Sequence, residues 1–337
     1  MKPVHIADGV WVGYHLVYQG SLDSVVVDLV RPLACSLWRQ HLIKKFFFIR
    51  YYVGGPHIRL RLDSETNSTS HIDDYVSSVA QAYFEHRPSR TLLTESDIRK
   101  TNQSMLIVDP FAEDVAYPNN SIQRVQFLPE VSRYGGYDHL SDSLSLFAFS
   151  SIWAIQSLTF APLSRGDILW NGLRSLLQQA VGFADNDQEL LAIVEQPLVD
   201  SGNHLNPIKQ KACAEFLQKK ENFMRGVAAE LSLKQNDGYC LSENSVCHQF
   251  SHTLRKLSPD KMHSIITDHI HMTANRLGLS NLEEVYISKL LSLCLRALIT
   301  EHEAVIDKKI EPKPSLMTVR KSMRGSLTRA LSGLCQC

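Results

Sequence analysis

The chain has 337 residues, 44% of them hydrophobic, enough for one large domain or two ordinary ones around a sizeable core. Its 35 Lys and Arg balance 35 Asp and Glu, so no overall field recruits nucleic acid or an anionic membrane, and no apolar run reaches membrane-spanning length. The stretch from Met1 to His5 opens no apolar secretion segment, and seven scattered cysteines, an odd number, argue against a disulfide framework; together these read as a cytoplasmic protein with reduced thiols.

Taken in order, residues 10–19 alternate as a first strand, and residues 22–42 carry the wide apolar face of a helix, with Pro32 as a kink. Residues 46–53 form a dense aromatic and β-branched run that ends at Gly54-Gly55-Pro56, and residues 57–62 return as a second strand. A helix follows over residues 71–84. Residues 87–122 are poorly patterned, with a single strand expected near 105–108. After the glycine pair Gly135-Gly136, residues 140–158 are a strongly apolar helix. From residue 168 onward the pattern is helical: 168–183, 187–199, 209–233, 246–256, 259–277 and 281–301. Ser258-Pro259 starts the fifth of these, Gly278 stops it, and Ser280 to Glu283 is a capping box for the sixth. The fold class is therefore α+β, with an N-terminal region of mixed helix and antiparallel sheet packed on a mainly helical C-terminal half. No linker cleanly divides residues 1–307, which are expected to form one domain, while residues 308–337 are a basic amphipathic tail marked by Leu316, Val319, Met323, Leu327 and Leu331.

Three places carry residues suited to chemistry. In residues 57–62 the period of two puts His57, Arg59 and Arg61 on one face and Ile58, Leu60 and Leu62 on the other. Such a face is either a solvated surface or an anion cradle, since guanidinium groups fork onto carboxylates in two-point fashion. In residues 126–136, Glu130, Arg133 and Tyr134 precede the glycine pair, where a loop can aim side chains inward. In residues 259–277, Asp268, His271 and Asn275 share a helix face, where the aspartate could fix the histidine's tautomer, or the three could form a satisfied polar seam. Cys240, Cys247, His248 and His252 fit no standard zinc spacing, so neither a metal nor a cofactor is expected.

Phe47-Phe48-Ile49-Arg50-Tyr51 leading to His57-Ile58-Arg59-Leu60-Arg61, then Glu130-x-x-Arg133-Tyr134-Gly135-Gly136, then His271-Met272-x-x-Asn275-Arg276-Leu277, together resemble the C-terminal elimination domain of class I lanthipeptide dehydratases. That domain also occurs as a separate chain in split dehydratases and, diverged, in thiopeptide biosynthesis. The resemblance covers roughly residues 10 to 300 and leaves out the large glutamylation domain.

It implies a lyase that expels glutamate from O-glutamylated Ser or Thr of a ribosomal precursor peptide, leaving dehydroalanine or dehydrobutyrine. By resemblance, Arg59, Arg61, Glu130, Arg133 and His271 are catalytic, and Arg50, His57, Tyr134, Asp268, Asn275 and Arg276 are supporting or substrate-binding positions. The chemistry agrees, because β-elimination needs a base at the Cα proton, a cation for the developing enolate and a clamp for a departing carboxylate. A shared role requires His271 and the arginines to line one pocket. The implied partners are the precursor peptide and a separate subunit that uses glutamyl-tRNA, with no direct need for nucleic acid or membrane; a homodimer is compatible. The chain departs from the family at Phe127, where tyrosine is common, and in the helix after the glycine pair, where an acidic residue and an Asp-Ser pair are usual and Leu144 and Ser150-Ser151 stand here. Two rivals are a thiopeptide-type [4+2] pyridine-forming cyclase and a non-catalytic peptide-binding subunit.

Overall fold

Alternation in the first long strand and in the 57–62 return decides which residues meet across the sheet. The computed structural model describes residues 4–6, 9–65, 69–106, 114–159, 163–232, 253–306 and 327–336. Its strands are β1 (Val4–Ile6), β2 (Gly9–Val17), β3 (Ile43–Tyr51), β4 (His57–Ser64) and β5 (Ser121–Val125). They pair antiparallel in the order β1-β2-β4-β3, with β5 also pairing with β2. His15 on β2 stands opposite Arg59 and Gly13 opposite Arg61, while Tyr51 on β3 stands opposite His57. These residues therefore share one sheet face, because directly opposed residues point the same way.

The helices are α1 (Leu22–Val25), α2 (Arg31–Arg39), α3 (Ser70–His86), α4 (Glu95–Leu106), α5 (Tyr137–Thr159), α6 (Arg165–Phe183), α7 (Asp187–Asp200), α8 (Asn206–Ser232), α9 (Pro259–Leu277), α10 (Asn281–Ile306) and α11 (Leu327–Gln336). A π-turn over Val26–Val30 joins α1 to α2. It sits just ahead of Pro32, so where a kink is expected from that proline the helix changes its period. Residues 105–108 are not a strand where they are described: Met105 lies in α4, which opens on acidic Glu95 and Asp97. The missing strand is β5, whose residues Ser121, Gln123 and Arg124 lack the apolar alternation that marks a strand in sequence.

The chain divides into two compact units. The first comprises Met1–Ser132, Phe147–Thr159 and Ala330–Cys337, and holds the sheet. Behind the sheet, Ile58, Leu60, Leu62, Val12 and Leu16 are fully buried. On the other face Trp11, Phe47, Phe127 and Phe147 interlock with ring centroids 5.4–5.7 Å apart. Ser151 on α5 accepts the Phe48 amide at 3.1 Å and donates to the Phe147 carbonyl at 2.8 Å, so it satisfies a buried donor on edge strand β3. Leu331 and Leu334 of α11 are buried, and Arg39 donates to the Cys335 carbonyl. The rest of the 308–337 run up to residue 326, and the 246–252 part of the helix expected over 246–256, fall outside the described residues.

The second unit comprises Arg133–Leu146 and Phe160–Arg329. In it α10 packs against α6, α7 and α8, and α9 packs against α6 and α7. The expected punctuation of α9 and α10 is present. Pro259 opens α9, Gly278 ends it with φ 77°, and the Ser280 and Glu283 side chains cap each other's backbone amides. Among the described residues no helix is long and apolar enough to cross a membrane.

Replacing Ser151 by Ala leaves the Phe48 amide buried without its acceptor. The change should cost about 1–3 kcal/mol of stability, read as a lower urea midpoint at unchanged slope; an unmoved midpoint would show that another acceptor takes its place.

Candidate functional site

In the first unit the site is built on β4. Arg61 is 8% exposed and donates from Nη1 to the carbonyls of Tyr14 at 3.3 Å and Leu60 at 3.0 Å. Gly13, directly across, makes this possible, since a side chain there would press on the Arg61 guanidinium. Burial, with Arg59 and Arg124 nearby, lowers the Arg61 pKa to about 9, which still leaves it charged at neutral pH. Arg59 lies with its guanidinium carbon 3.3 Å from the centre of the Tyr51 ring. Neither arginine pairs with a carboxylate among the described residues. Asp63, two residues beyond Arg61 on the same face, lies 3.9 Å from Lys45 instead. Two cations without a matched anion are costly to bury, and an arriving carboxylate relieves that cost.

His57 is fully buried, and its Nδ1 lies 2.8 Å from the Gly55 carbonyl, which makes Nδ1 the protonated nitrogen. Gly54 and Gly55 hold this turn at φ 83° and 101°. His15 stacks on His57 with centroids 4.5 Å apart, and Tyr117 meets both rings edge-on. Burial pushes the His57 pKa down to about 3, and although the Gly55 bond opposes this, Arg59 and Arg61 add to it. Burial, His57 and the same two arginines push His15 down as well. Both imidazoles are therefore neutral near pH 7.

In the second unit Arg133 grips Asp268 through two bonds, Nε to Oδ2 at 2.8 Å and Nη2 to Oδ1 at 2.6 Å. The expectation that Asp268 orients His271 by a hydrogen bond is thus corrected: the aspartate's oxygens face Arg133. The partner of His271 is Glu284 on α10, whose two carboxylate oxygens both lie 3.0 Å from Nδ1. Burial alone would lower the His271 pKa, but the bond and charge of Glu284, with Asp268 adding and Arg133 opposing, raise it. With Nδ1–H donated to Glu284, Nε2 carries the lone pair, the arrangement of a general base.

The remaining sequence candidates divide. Tyr134 is buried against His269 with centroids 5.4 Å apart, and Arg276 is fully buried, so both stand behind the surface. Glu130 is exposed and Asn275 half-buried. Arg50 belongs elsewhere, because it pairs in register with Ile58 on the opposite sheet face and bonds Asp23 at 2.6 Å. Sequence reasoning missed His15, Tyr51, Tyr117 and Glu284. Alternation from Trp11 through Gly13 to His15 hinted at the first, but Glu284, in the first turn of its helix, reads as an ordinary dipole-matching acid. Cys240, Cys247, His248 and His252 lie outside the described residues, and among those described no group of His, Cys, Asp or Glu is placed to hold a metal.

A family model for the C-terminal region of lantibiotic biosynthesis dehydratases matches residues 11–295. The chain belongs to this lantibiotic dehydratase C-terminal family. No match was found among curated proteins. Among solved structures it is similar to the pyridine synthase TbtD from thiomuracin biosynthesis, with TM-score 0.66 and 16% identity over 86% of this chain and 98% of that one. It is also similar to the tRNA-dependent lantibiotic dehydratase MibB from Microbispora sp. 107891, with TM-score 0.59 and 16% identity over 90% of this chain but only 29% of that one. TsrL aligns with TM-score 0.54 and 11% identity over 90% and 99% of the two chains. At these identities the likeness shows a shared fold. Family membership places the chain in peptide-modifying biosynthesis of the lanthipeptide and thiopeptide kind.

Two measurements probe these histidines. His57 is neutral in the fold but charges in the unfolded chain below about pH 6.5, so the stability tied to its neutrality is present above that pH and lost as pH falls toward 3. Melting temperature should drop across this window, and less steeply in His57→Gln; parallel curves would mean the folded imidazole is charged. Replacing Glu284 by Gln should move the His271 imidazole titration, followed by NMR, to lower pH. An unmoved titration would show that Glu284 does not set its basicity.

Proposed function

We propose that the chain is a lyase that eliminates glutamate from O-glutamylated Ser or Thr in a ribosomal precursor peptide. The observation that carries this reading is the pair Arg59 and Arg61, held on one sheet face with no carboxylate to match them among the described residues. A leaving group that departs as a carboxylate is the ligand such a pair suits.

On this reading His271 Nε2 takes the Cα proton. The electrons of that C–H bond form the Cα=Cβ double bond, and the Cβ–O bond breaks with its pair on the glutamyl carboxylate. That carboxylate leaves on Arg59 and Arg61 as glutamate. The charge of Glu284 stabilises the imidazolium that His271 becomes. Arg133, already matched by Asp268, supplies less net charge to the enolate than an unmatched arginine and holds its helix face in place. Glu130 is suited to the glutamyl ammonium. The partners are the precursor peptide and a separate glutamylating subunit, which alone uses glutamyl-tRNA.

A second reading, [4+2] pyridine formation, is favoured by one observation: the pyridine synthase TbtD aligns over 98% of its length with 86% of this chain. Reconstitution separates the two. With the glutamylating subunit, glutamyl-tRNA and precursor, the chain should yield losses of one water mass per site, whereas with bare precursor alone it should do nothing. His271→Ala should lower turnover by about 100-fold or more, the usual loss for a proton-transfer group; Arg59→Lys should lower it through the lost two-point grip on the carboxylate, and both should let glutamylated peptide accumulate. Dehydration of bare peptide by the chain alone, or ring formation from a dehydroalanine peptide, would overturn the assignment.

A further inference from the structure

We infer that Tyr51 is a positioning residue that holds Arg59 by its aromatic face, so that the guanidinium edge stays open for the carboxylate of the substrate. The inference rests on the elimination reading above and deepens it. An arginine in an anion site must be held still, yet a carboxylate that held it would fill the fork meant for the ligand. An aromatic face avoids that conflict, because it attracts the flat side of the cation and leaves its N–H groups in the plane.

The geometry fits this division. The Arg59 guanidinium carbon lies 3.3 Å from the Tyr51 ring centre, and Arg59 has no carboxylate partner among the described residues. Its Nε is buried without a hydrogen-bond partner, so the stack rather than a polar bond holds that end of the group. Tyr51 is itself braced. The His57 ring meets it at 67° with centroids 5.6 Å apart, and His57 is tied to the Gly55 carbonyl. Behind His57 stand His15 and Tyr117. The column from the glycine turn through His57 to Tyr51 and Arg59 thus joins a fixed backbone turn, aromatic packing and the cation. His57 and His15, whose Nε2 and Nδ1 are buried without partners, act through this packing.

The test uses the full chain with position 51 filled by tyrosine, phenylalanine, and phenylalanine carrying one, three or five ring fluorines, introduced by nonsense suppression. Fluorine withdraws the ring's negative face while nearly preserving its shape, so a merely structural role is insensitive to the series. Binding of L-glutamate is followed by NMR, and kcat and KM are measured on glutamylated precursor. With Tyr51→Phe as the reference, glutamate affinity should fall stepwise with fluorination to about tenfold weaker at five fluorines. On glutamylated precursor kcat/KM should fall in parallel, because the same guanidinium receives the departing carboxylate. In an Arg59→Ala background the series should be flat, since the ring then has no cation to hold. If Arg59→Ala itself leaves glutamate binding unchanged, the elimination reading of this face fails. If Arg59→Ala abolishes binding while the fluorinated series is flat in the parent background, the role given to Tyr51 is wrong.

Discussion

The alternation of β4 imposes a constraint that the rest of the first unit has to meet. Every second residue from Ile58 to Leu62 is committed to a fully buried apolar layer, which forces His57, Arg59 and Arg61 together onto the opposite face. Holding two guanidinium groups there requires room, donors' partners and freedom from competing acids. Gly13 gives the room, the carbonyls of Tyr14 and Leu60 accept from Arg61, and the Tyr51 ring carries Arg59. The histidines stay neutral beside them because burial and the neighbouring cations both disfavour a further charge.

The second unit solves a complementary problem, how to keep an imidazole basic in partly buried surroundings. Burial by itself would weaken the base, and the two-oxygen contact from Glu284 outweighs it. Arg133 and Asp268 neutralise each other through a forked pair and so add little net field at His271, one raising and the other lowering its basicity. The first unit thus holds two arginines with no carboxylate partner among the described residues, and the second holds a histidine whose basicity a neighbouring acid supports.

Departures from the common family residues become intelligible in the packing. Phe127 sits among Trp11 and Phe47 with the Arg61 guanidinium 5.6 Å from its ring, so the position is filled by an apolar edge of the aromatic cluster. Ser150 is buried and donates to the Phe147 carbonyl at 3.2 Å, so its side chain is satisfied within its own helix. Leu144 is buried and apolar.

What the sequence determined by itself was whatever depends on local period and local chemistry. The face shared by His57, Arg59 and Arg61 follows from a period of two, and the ends of α9 and α10 follow from proline, glycine and a capping box that act within a few residues. β5 was illegible because its strand character comes from pairing with β2 rather than from its own pattern. Only the tertiary structure could decide partners. Asp268, one turn from His271, looked like its orienting acid, but side chains on one helix face compete with whatever packs against them, and Arg133 takes the aspartate while Glu284 takes the histidine. Likewise Arg50 differs from Arg59 only in strand register, and register is a property of the pair of strands: it sends Arg50 to Asp23 on one face and leaves Arg59 on Tyr51 on the other.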